Sequence, residues 1–418
     1  MKSILSPAAV LLALAILLVG CGGAPSSPTA TPIETVVSPT EALTPVEPAN
    51  PPQTEETLPL PMEGEMTTRI HFVAAGDNII HEAVYTDAKA KAAVQASAGG
   101  AVQNYVFAPM YDGLSAIIGG ADLAYVNHES PIAASGAVAG YPDFNSPTDA
   151  GRDLLAVGFD IVNIANNHML DMGERGLDES IAYWKSTDAT VLGACSRTAY
   201  DADNLQIIEK NGIKIAFLSY TTLVNWAHSG DLSANSAHVV PYAKDADIKR
   251  QMAAARNSGA DLILVAMHWG DEGKFQPNAE QKRLAQLLAD EGADAILGSH
   301  SHNIQPVEWL TGVGGNKTLV AYSTGNLIST MLYSYYMVGG LLTFDIIAEP
   351  GSEPYLDDVV FVPTVTHYSM NRDNLALYRL SDYTEAMAAQ HGAQKNGAFT
   401  LATLQGYVNS TIPAEFLP

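Results

Sequence analysis

The feature that most constrains the fold is a succession of short apolar runs that alternate with longer segments of helical spacing. The runs "IHFVAAGD" (70–77), "DLAYVNHE" (122–129) and "FDIVNIANNH" (159–168) have the length and apolar content of buried β-strands. The segment "GERGLDESIAYWKS" (173–186) follows the third run, and its spacing predicts an amphipathic helix. Strands and helices that alternate in this way predict an α/β domain.

The second half of the chain adds strands with few helices between them. Asn211-Gly212 predicts a hairpin turn, and "DLILVAMHWGDE" (261–272) predicts a buried strand. "NAEQKRLAQLLADEG" predicts an amphipathic helix that ends at Gly292. Further strands are predicted in "ADAILGSHSH", "KTLVAYSTGN", "GGLLTFDII" and "LDDVVFVPTVT". Together these segments predict mixed sheets, with two sheets packed on each other. We expect the tail from Asn371 to add helical segments on the outside, without chemistry of its own.

The start of the chain has the pattern of an exported protein. An apolar run at residues 8–19 follows a single Lys, and it is shorter than a comfortable membrane span. Gly20 before Cys21 at the end of this run resembles a bacterial lipobox, which implies cleavage before Cys21 and its lipidation. A plain signal peptide with an incidental Cys, or an uncleaved anchor, is the alternative. We expect an extracytoplasmic protein that is lipid-anchored to the bacterial membrane through Cys21.

Composition changes abruptly after Cys21. Residues 22–67 are rich in Pro, Thr, Ser and Glu and have no alternating apolar pattern, which predicts an extended, disordered spacer without a binding role. The predicted organisation is therefore a signal peptide (1–21), this linker, a folded domain (68–366) and a C-terminal helical extension (367–418).

Charge and cysteine content exclude several classes of partner and of stabilisation. The formal net charge of −24 argues against nucleic acid or an anionic membrane surface as a general partner. A polyanionic substrate would also be repelled unless cations are focused locally, and a bound divalent metal is one way to do so. If Cys21 carries lipid, Cys195 is the only remaining thiol, so no intramolecular disulfide is available.

Polar residues stand where the predicted strands end. Since the carboxyl ends of strands in α/β sheets form the binding crevice, these side chains should converge. Each has an ordinary alternative: Asp77 could cap a helix, and His268 beside Trp269 could be a core histidine. Jointly they form a mixed nitrogen and oxygen set that suits Zn, Mn, Fe or Mg. The residues are Asp77, Asn127, His128, Glu129, Asn166, Asn167, His168, His268, His300, His302, Ser323 and Asn326, with Asp171 just beyond.

Six segments around these residues carry a family resemblance: "GDNII", "NHESPI", "NNHMLDMGERGL", "MHWGDE", "GSHSHNIQPVEW" and "YSTGNLI". In the same order as in this chain, they resemble the motif set of CapA-type proteins, which are linked to capsule and poly-γ-glutamate biosynthesis and have a calcineurin-like metallophosphoesterase fold. The resemblance covers about residues 70–361 and implies a four-layer αββα sandwich with the site at strand ends.

The resemblance also implies roles for the site residues. Asp77 would be the first metal-binding carboxylate and Glu129 a bridging one. His168 would protonate a leaving oxygen, and we assign Asp171 to catalysis with it. The remaining ligands of one or two divalent ions (Mn, Zn, Fe or Mg) would be Asn167, His268, His300 and His302. The residues assigned to substrate binding are Asn127, Asn166, Ser323 and Asn326.

Three departures from the family pattern bear on these roles. The phosphoesterase pattern has a His two residues after the first Asp, whereas this chain has Ile79. His128 replaces the Leu of many relatives, and it is either an extra ligand or a residue that faces away. Ser299 and Ser301 flank His300 without changing the spacing of the two rings. One full and one weak metal site, a single metal, and a dinuclear centre all remain open.

Three functions are compatible with the sequence. The first is a surface-anchored, metal-dependent hydrolase or transferase in capsule or poly-γ-glutamate synthesis and export. The second is a non-catalytic, polymer-binding export accessory, and the third, weaker one is a secreted nucleotidase or other phosphoesterase. The expected partners are an anionic polymer such as poly-γ-glutamate or a phosphorylated substrate, and capsule export machinery. Three arginines near the motifs either contact anionic groups or are solvated surface residues: Arg152, Arg175 and Arg197.

Overall fold

Strand and helix formation follows the apolar pattern of the sequence closely. The computed structural model describes residues 67–225 and 232–418. Cys21, the predicted signal peptide and residues 22–66 of the predicted linker lie outside the described residues, and the predicted domain boundaries stay predictions. Within the described ranges, no helix combines the length and the apolar character that crossing a membrane requires.

The described residues form fourteen strands. In chain order they are β1 (Thr68–Asn78), β2 (Leu123–His128), β3 (Ile161–Asn163), β4 (Thr190–Leu192), β5 (Gln206–Lys210), β6 (Ile213–Thr221), β7 (Leu262–His268), β8 (Ala295–Ser299), β9 (Val307–Thr311), β10 (Lys317–Ala321), β11 (Asn326–Ile328), β12 (Val338–Ala348), β13 (Tyr355–His367) and β14 (Ala376–Arg379). The α-helices in the same residues are α1 (Glu82–Ser97), α2 (Ser115–Ile118), α3 (Thr148–Val157), α4 (Gly173–Lys185), α5 (Tyr200–Asn204), α6 (Asp245–Asn257), α7 (Ala279–Asp290), α8 (Glu385–Ala388) and α9 (Leu401–Thr411).

These strands make two mixed sheets. The first sheet has the order β14-β13-β12-β1-β2-β3-β4, and β11 pairs with the end of β1. Strands β1 to β4 and β11 run parallel, and β12 to β14 are antiparallel. The second sheet has the order β5-β6-β7-β8-β10-β9, with β6, β7, β8 and β10 parallel. The predicted mixed α/β architecture is confirmed.

The two sheets face each other, and helices cover their outer faces. The rings of Phe72 in the first sheet and Phe217 in the second stack with centroids 6.2 Å apart, so the main core lies between the sheets. On the outer face of the second sheet, Met252 of α6 and Leu284 of α7 share a buried cluster with Val265. On the outer face of the first, Trp184 of α4 contacts the ring of His128. The order of layers is αββα.

Two predicted local signals act as expected. At the β5–β6 hairpin, Asn211 has φ 52° and Gly212 has φ 81°, the left-handed pair that a two-residue hairpin of twisted strands requires. Helix α7 begins with a capping box, in which Asn278 and Gln281 bond each other's backbone N–H groups. It ends two residues before Gly292, whose φ is 83°.

The C-terminal segment differs from the expectation of an outer helical extension. Strand β14 pairs with β13 and so belongs to the first sheet. Leu404, Val408 and Phe416 are buried in the main cluster between the sheets and their covering helices. The apolar residues of this tail belong to several short elements, among them β14, α8 and α9. Helical periodicity in the sequence indicates the helices but not the strand.

Candidate metal centre

The pairing register of the first sheet places polar side chains in one row at its carboxyl edge. Asp77 of β1 is the register partner of Asn326 on one side and of Asn127 on the other. Asn127 is in turn the partner of Asn163 of β3. The Asn127 amide donates to Oδ1 of Asp77 at 2.8 Å and accepts from Nδ2 of Asn163 at 3.0 Å. The row is therefore connected by hydrogen bonds.

A second row lies at the carboxyl edge of the other sheet. Thr221, His268 and Ser299 are register partners across β6, β7 and β8. The two rows meet, because Nδ1 of His268 lies 3.4 Å from Nδ2 of Asn127. At a second crossing, the Ser219 hydroxyl donates to Oδ1 of Asn163 at 2.5 Å. The candidate site is the space between the two strand edges.

The loop after β8 brings the His300 and His302 pair into this space at a conformational cost. His300 has φ 93° and His302 has φ 57°, the left-handed region that costs a non-glycine residue about 1–3 kcal/mol. The backbone N–H of His300 donates to Oδ2 of Asp77 at 3.2 Å, and Nδ1 of His302 lies 3.0 Å from the same oxygen. Asp77 therefore holds the strained loop in place.

Glu129 is the residue that two candidate ligand sets share. Potential ligand atoms lie within 4.8 Å of one another in the set Asp77, Glu129 and His268, and again in the set Glu129, His300 and His302. Oε1 of Glu129 is 3.6 Å from Nε2 of His268 and 3.8 Å from Nε2 of His302. Asn167 joins the first set, since its Oδ1 lies 2.9 Å from Nε2 of His268. The structure thus brings together all six predicted ligands.

Burial and the contact between Asp77 and His302 together shift the pKa values of this cluster. Burial and the neighbouring charge of Asp77 raise the pKa of Glu129 well above its usual value. Burial also acts to raise the pKa of Asp77, but the hydrogen bond and charge of His302 outweigh it, so that the pKa of Asp77 is lowered. Burial lowers the pKa of His300 to about 3 and strongly lowers that of His268, which favours neutral imidazoles. For His302, burial is outweighed by Asp77, and the pKa is raised.

The cluster fits a divalent cation better than it fits a set of internal hydrogen bonds. Oε1 of Glu129 and Nδ1 of His300 are buried and have no hydrogen-bond partner among the described residues. Such orphaned groups are costly, and metal coordination is one of the few ways to satisfy them. Neutral imidazoles with carboxylate and amide oxygens form the ligand chemistry that Zn, Mn and Fe accept. The six predicted metal-ligating residues therefore have the chemistry that a divalent ion such as Zn, Mn or Fe requires.

His168 stands beside this cluster with a fixed ring. Its Nδ1 lies 2.6 Å from Oδ2 of Asp171, which also accepts from the backbone N–H of Phe144 at 2.8 Å. The Phe144 ring meets the imidazole edge to face at 4.6 Å. With Nδ1 directed at a carboxylate, Nε2 is the nitrogen left for exchanging a proton with a substrate. The roles of His168 and Asp171 remain predictions, but their geometry suits them.

The four residues assigned to substrate binding lie in different positions. Asn127 is at the centre of the ligand cluster, and Asn166 donates to the backbone carbonyl of His128 at 3.0 Å. The Ser323 hydroxyl accepts from the N–H of Gly325 at 3.1 Å. Asn326 donates to the Tyr336 carbonyl at 3.0 Å, and its buried Oδ1 has no partner in the described chain. The Asn326 side chain also contributes to raising the pKa of His302, so it faces a candidate ligand.

The structure also shows the surroundings of three residues that depart from the expected pattern, namely His128, Ile79 and Ser299. The His128 ring bonds Asn78 at 3.0 Å and packs on Trp184, and it faces the helical layer because neighbouring strand residues point to opposite faces. Burial lowers the pKa of His128 to about 3. Ile79 is buried, and its apolar side chain supplies no ligand atom where the phosphoesterase pattern has a His. The Ser299 hydroxyl lies 2.9 Å from Nδ1 of His268, where it orients the ring.

The arginines near the motifs are already engaged. Arg152 pairs with Asp149 and Asp153, and Arg175 pairs with Glu179. Arg197 donates to backbone carbonyls, including that of Ser236 at 2.9 Å. No described contact joins any of the three to a candidate ligand.

Sequence reasoning missed Asn163 and Asn225. Asn163 was hidden in the middle of a predicted strand, although it is the last residue of β3. Asn225 follows β6, and its Nδ2 lies 2.9 Å from Nδ1 of His168 while its Oδ1 accepts from Asn167 at 3.1 Å. The available signal was position, since Asn225 comes soon after a strand end, but an isolated Asn there is typical of ordinary loops.

Several known proteins are similar to this chain. The "PGA biosynthesis protein CapA" of Bacillus subtilis is 30% identical over 175 residues, which is 42% of this chain and 44% of that protein. The "Capsule biosynthesis protein CapA" of Bacillus anthracis is 30% identical over 186 residues and 42% of each chain. A "Probable polyglutamine synthesis accessory protein" of Mycobacterium tuberculosis is 26% identical over 232 residues, or 53% of this chain and 58% of that protein. The chain thus spans less than half the length of the Bacillus relatives.

Solved structures show weaker similarity. The calcineurin-like phosphoesterase YfkN of Bacillus subtilis has a TM-score of 0.43 and 14% identity, covering 82% of this chain and 97% of that one. The NAD nucleotidase of Haemophilus influenzae has a TM-score of 0.41 and 12% identity, covering 82% and 60%.

The family assignment comes from the sequence itself. The pattern of the family described as "Bacterial capsule synthesis protein PGA_cap" matches residues 71–331, which include every candidate metal ligand. This match covers more than half of the chain, and the Bacillus CapA proteins agree with it. The chain belongs to the PGA_cap family of bacterial capsule synthesis proteins.

Proposed function

We propose that this chain is a surface-anchored protein of capsule or poly-γ-glutamate synthesis and export, with a metal-dependent hydrolase-type site that acts on an anionic polymer. The observation that carries the proposal is the carboxylate of Glu129, which is buried, shared by two ligand sets and left with an orphaned oxygen. A buried carboxylate with a purely structural role normally accepts hydrogen bonds on its oxygens.

The residues that would hold the metal are the two overlapping sets with Asn167. A bound divalent cation would supply charge neutralisation and a water of lowered pKa at neutral pH. The chain's own groups would orient the ligands and transfer a proton. Asn127 holds the Asp77 carboxylate through its 2.8 Å hydrogen bond, and Ser299 holds the His268 ring. His168, oriented by Asp171, would give a proton through Nε2 to the group that leaves as water attacks.

The charge of the chain supports an anionic substrate that is recognised locally. With 45 acidic and 21 basic residues, the protein repels polyanions at long range. Attraction must then come from a small region where positive charge is concentrated, and the candidate metal centre is one such region. The family assignment supports poly-γ-glutamate as the polymer.

His268→Ala tests this proposal. We expect wild-type chain to retain one or two equivalents of divalent metal after dialysis and to hydrolyse a poly-γ-glutamate or phosphodiester substrate. The variant should lose most of the metal, and its rate should fall by about 100-fold, since a 10–100-fold loss already follows from milder changes around metal sites. Elemental analysis and turnover would be measured on the same samples.

His71→Ala is the matched control, because this imidazole lies at the far end of β1 and contacts Asp345 instead of a candidate ligand. Wild-type chain without stoichiometric metal, or a His268→Ala variant with unchanged metal and rate, would contradict the proposal.

A non-catalytic polymer-binding function is the second candidate. The buried Ile79 in place of an imidazole favours it, because one family ligand beside Asp77 is missing. Polymer binding that persists after chelation and in His268→Ala, with no turnover of any tested substrate, would support this candidate over the first.

Surface anchoring through Cys21 is also a proposal, supported by the lipobox-like sequence. We expect Cys21→Ser to abolish incorporation of labelled palmitate and to release the chain from the membrane fraction. Labelling that is the same in both chains would rule out this anchor. Cys195→Ser is the control, since that thiol is buried.

A further inference from the structure

A cleft of about 400 Å³ lies beside the candidate metal centre, and none of the six candidate metal ligands lines it. Residues that line it are His81, Glu82, Tyr141, Tyr333, Tyr336 and Arg372. Three of these, Tyr333, Tyr336 and Arg372, come from beyond the residues that match the family pattern. The family match therefore covers only one part of the cleft lining.

Two contacts connect the cleft to the candidate centre. The Tyr336 ring lies 6.4 Å from the ring of His302, a candidate ligand. Phe144 stands between His81 and His168, with ring centroids 5.3 Å from the former and 4.6 Å from the latter. The cleft is thus in contact with a metal ligand through Tyr336, and Phe144 separates its wall at His81 from the candidate proton donor.

Among the described residues, Arg372 has no carboxylate partner, although the chain is strongly acidic. Its Nη2 donates to the Thr330 carbonyl at 2.5 Å and to the Thr330 hydroxyl at 2.9 Å. Within residues 67–225 and 232–418, its Nε and Nη1 make no hydrogen bond and no carboxylate pairs with it. Seven other arginines do contact a carboxylate, namely Arg69, Arg152, Arg175, Arg250, Arg256, Arg283 and Arg379.

The backbone of Arg372 is held for this position. Its φ is 60°, a left-handed conformation that a long side chain rarely adopts, and its N–H donates to the Ser369 carbonyl at 2.8 Å. Thr330 also donates its N–H to Nδ1 of His81 at 3.4 Å, so it links the guanidinium to the cleft wall. The arginine is thereby anchored through Nη2, and its Nε–H and Nη1–H donors have no partner among the described residues.

Three tyrosines, Tyr141, Tyr333 and Tyr336, also line the cleft. Tyr333 stacks on Tyr335 with centroids 5.4 Å apart and rings 5° from parallel, and Tyr335 contacts Tyr336 at 4.4 Å. Tyr141 and Tyr333 remain 78% and 47% exposed. Such rings offer apolar faces to methylene groups and hydroxyls to amides, which suits a polyamide chain.

We propose that this cleft binds a free carboxylate of an anionic polyamide such as poly-γ-glutamate, through the N–H donors that remain free on Arg372, while the bond to be cleaved lies at the metal centre. The inference rests on the proposed function and assigns a residue to substrate recognition. A guanidinium with free N–H donors forms charge-assisted hydrogen bonds to a carboxylate. A single such group among tyrosines is a poorer match for phosphate, which draws more cationic and N–H donors.

Arg372→Ala in the full chain, loaded with Mn²⁺, tests the assignment. We expect the dissociation constant of a γ-linked glutamate oligomer, measured by calorimetry, to rise at least tenfold, with an intermediate rise for Arg372→Lys because lysine keeps the charge and loses the planar guanidinium that Thr330 anchors. Metal content and thermal midpoint should stay unchanged. Arg175→Ala, which removes an exposed arginine with a carboxylate partner, should bind within twofold of wild type.

Ligand variants make the test specific for carboxylate. An oligomer whose free carboxylates are amidated should bind wild type and Arg372→Ala equally. Equal binding of the unmodified oligomer to both chains would overturn the inference, and so would an effect of Arg372→Ala on inorganic phosphate or adenosine monophosphate alone. The inference and the proposed function fail separately. A chain without metal whose oligomer binding still depends on Arg372 refutes only the hydrolase, whereas metal retention without that dependence refutes only the cleft.

Discussion

Glu129→Gln is expected to abolish metal retention while making the metal-free chain more stable. The two ligand sets share this carboxylate, so its replacement by a neutral amide removes one ligand and one negative charge from both. We expect the affinity for a divalent ion to fall by at least about 100-fold, at the upper end of what is typical for loss of metal-site support. Glu129 is the one residue that both ligand sets contain.

The gain in stability of the metal-free chain follows from the shifted titration of Glu129. Its pKa in the folded chain is raised, first by burial and then by the charge of Asp77. At a pH above the ordinary pKa of 4.5, Glu129 is therefore deprotonated in the unfolded chain, whereas it keeps its proton in the folded chain up to the raised pKa. By linkage, this residue's contribution to stability is complete below that pH and decreases as the pH rises through the folded pKa. Glutamine has no such loss, and at pH 7 we expect it to stabilise by about 1–3 kcal/mol.

Elemental analysis and chelator-treated denaturant unfolding between pH 4 and 8 would measure both effects. Glu272→Gln is the control, because this exposed carboxylate adds only a distant charge to Glu129. We expect it to keep its metal and to show the pH dependence of the wild type. A Glu129→Gln chain that retains metal, or that in metal-free form is less stable than wild type at pH 7, would refute the assignment of Glu129.

His168→Ala is expected to give the largest loss of turnover among variants that keep their metal. The imidazole lies beside the ligand cluster, and Asp171 holds its Nδ1 at 2.6 Å, which leaves Nε2 as proton donor. General acid catalysis contributes about 10²- to 10⁴-fold, and we expect a loss in that range for substrates with a poor leaving group. With a p-nitrophenyl ester, whose leaving group needs no proton, the loss should be much smaller.

The comparison of leaving groups separates proton donation from simple disruption. Asp171→Asn should lower the rate by about tenfold and alter the pH profile, because the ring loses its orienting carboxylate but keeps its nitrogen. Metal content serves as the control for both variants. Equal losses for the two classes of leaving group would show that His168 does not donate the proton.

The sequence located the strands and their polar ends well, for a local reason. Asp77, Glu129, His268 and His300 each follow a buried apolar run, and alternating strands and helices force such runs into a sheet with a common edge. The hairpin at Asn211 and the start of α7 were equally local, because turn and cap geometry depend on adjacent residues.

Facing directions required the tertiary structure. Asn127 and His128 are neighbours, yet one lies among the ligands and the other packs on Trp184. A shift of one residue in strand register would exchange them, and nothing in the sequence of β2 alone distinguishes the two registers. Asn225 escaped notice for a related reason, since it reaches His168 only where the loop after β6 meets the loop after β3, as its N–H does on the Asn167 carbonyl at 2.8 Å.

The sequence by itself thus determined the order of strands, the ligand types and the family. Only the tertiary structure decided that Glu129 belongs to both ligand sets and that Arg372, 291 positions after His81, lies in the same cleft. Contacts between residues so far apart depend on the packing of whole sheets and on the path of the tail over them. A periodicity of two or 3.6 residues carries no information about that packing.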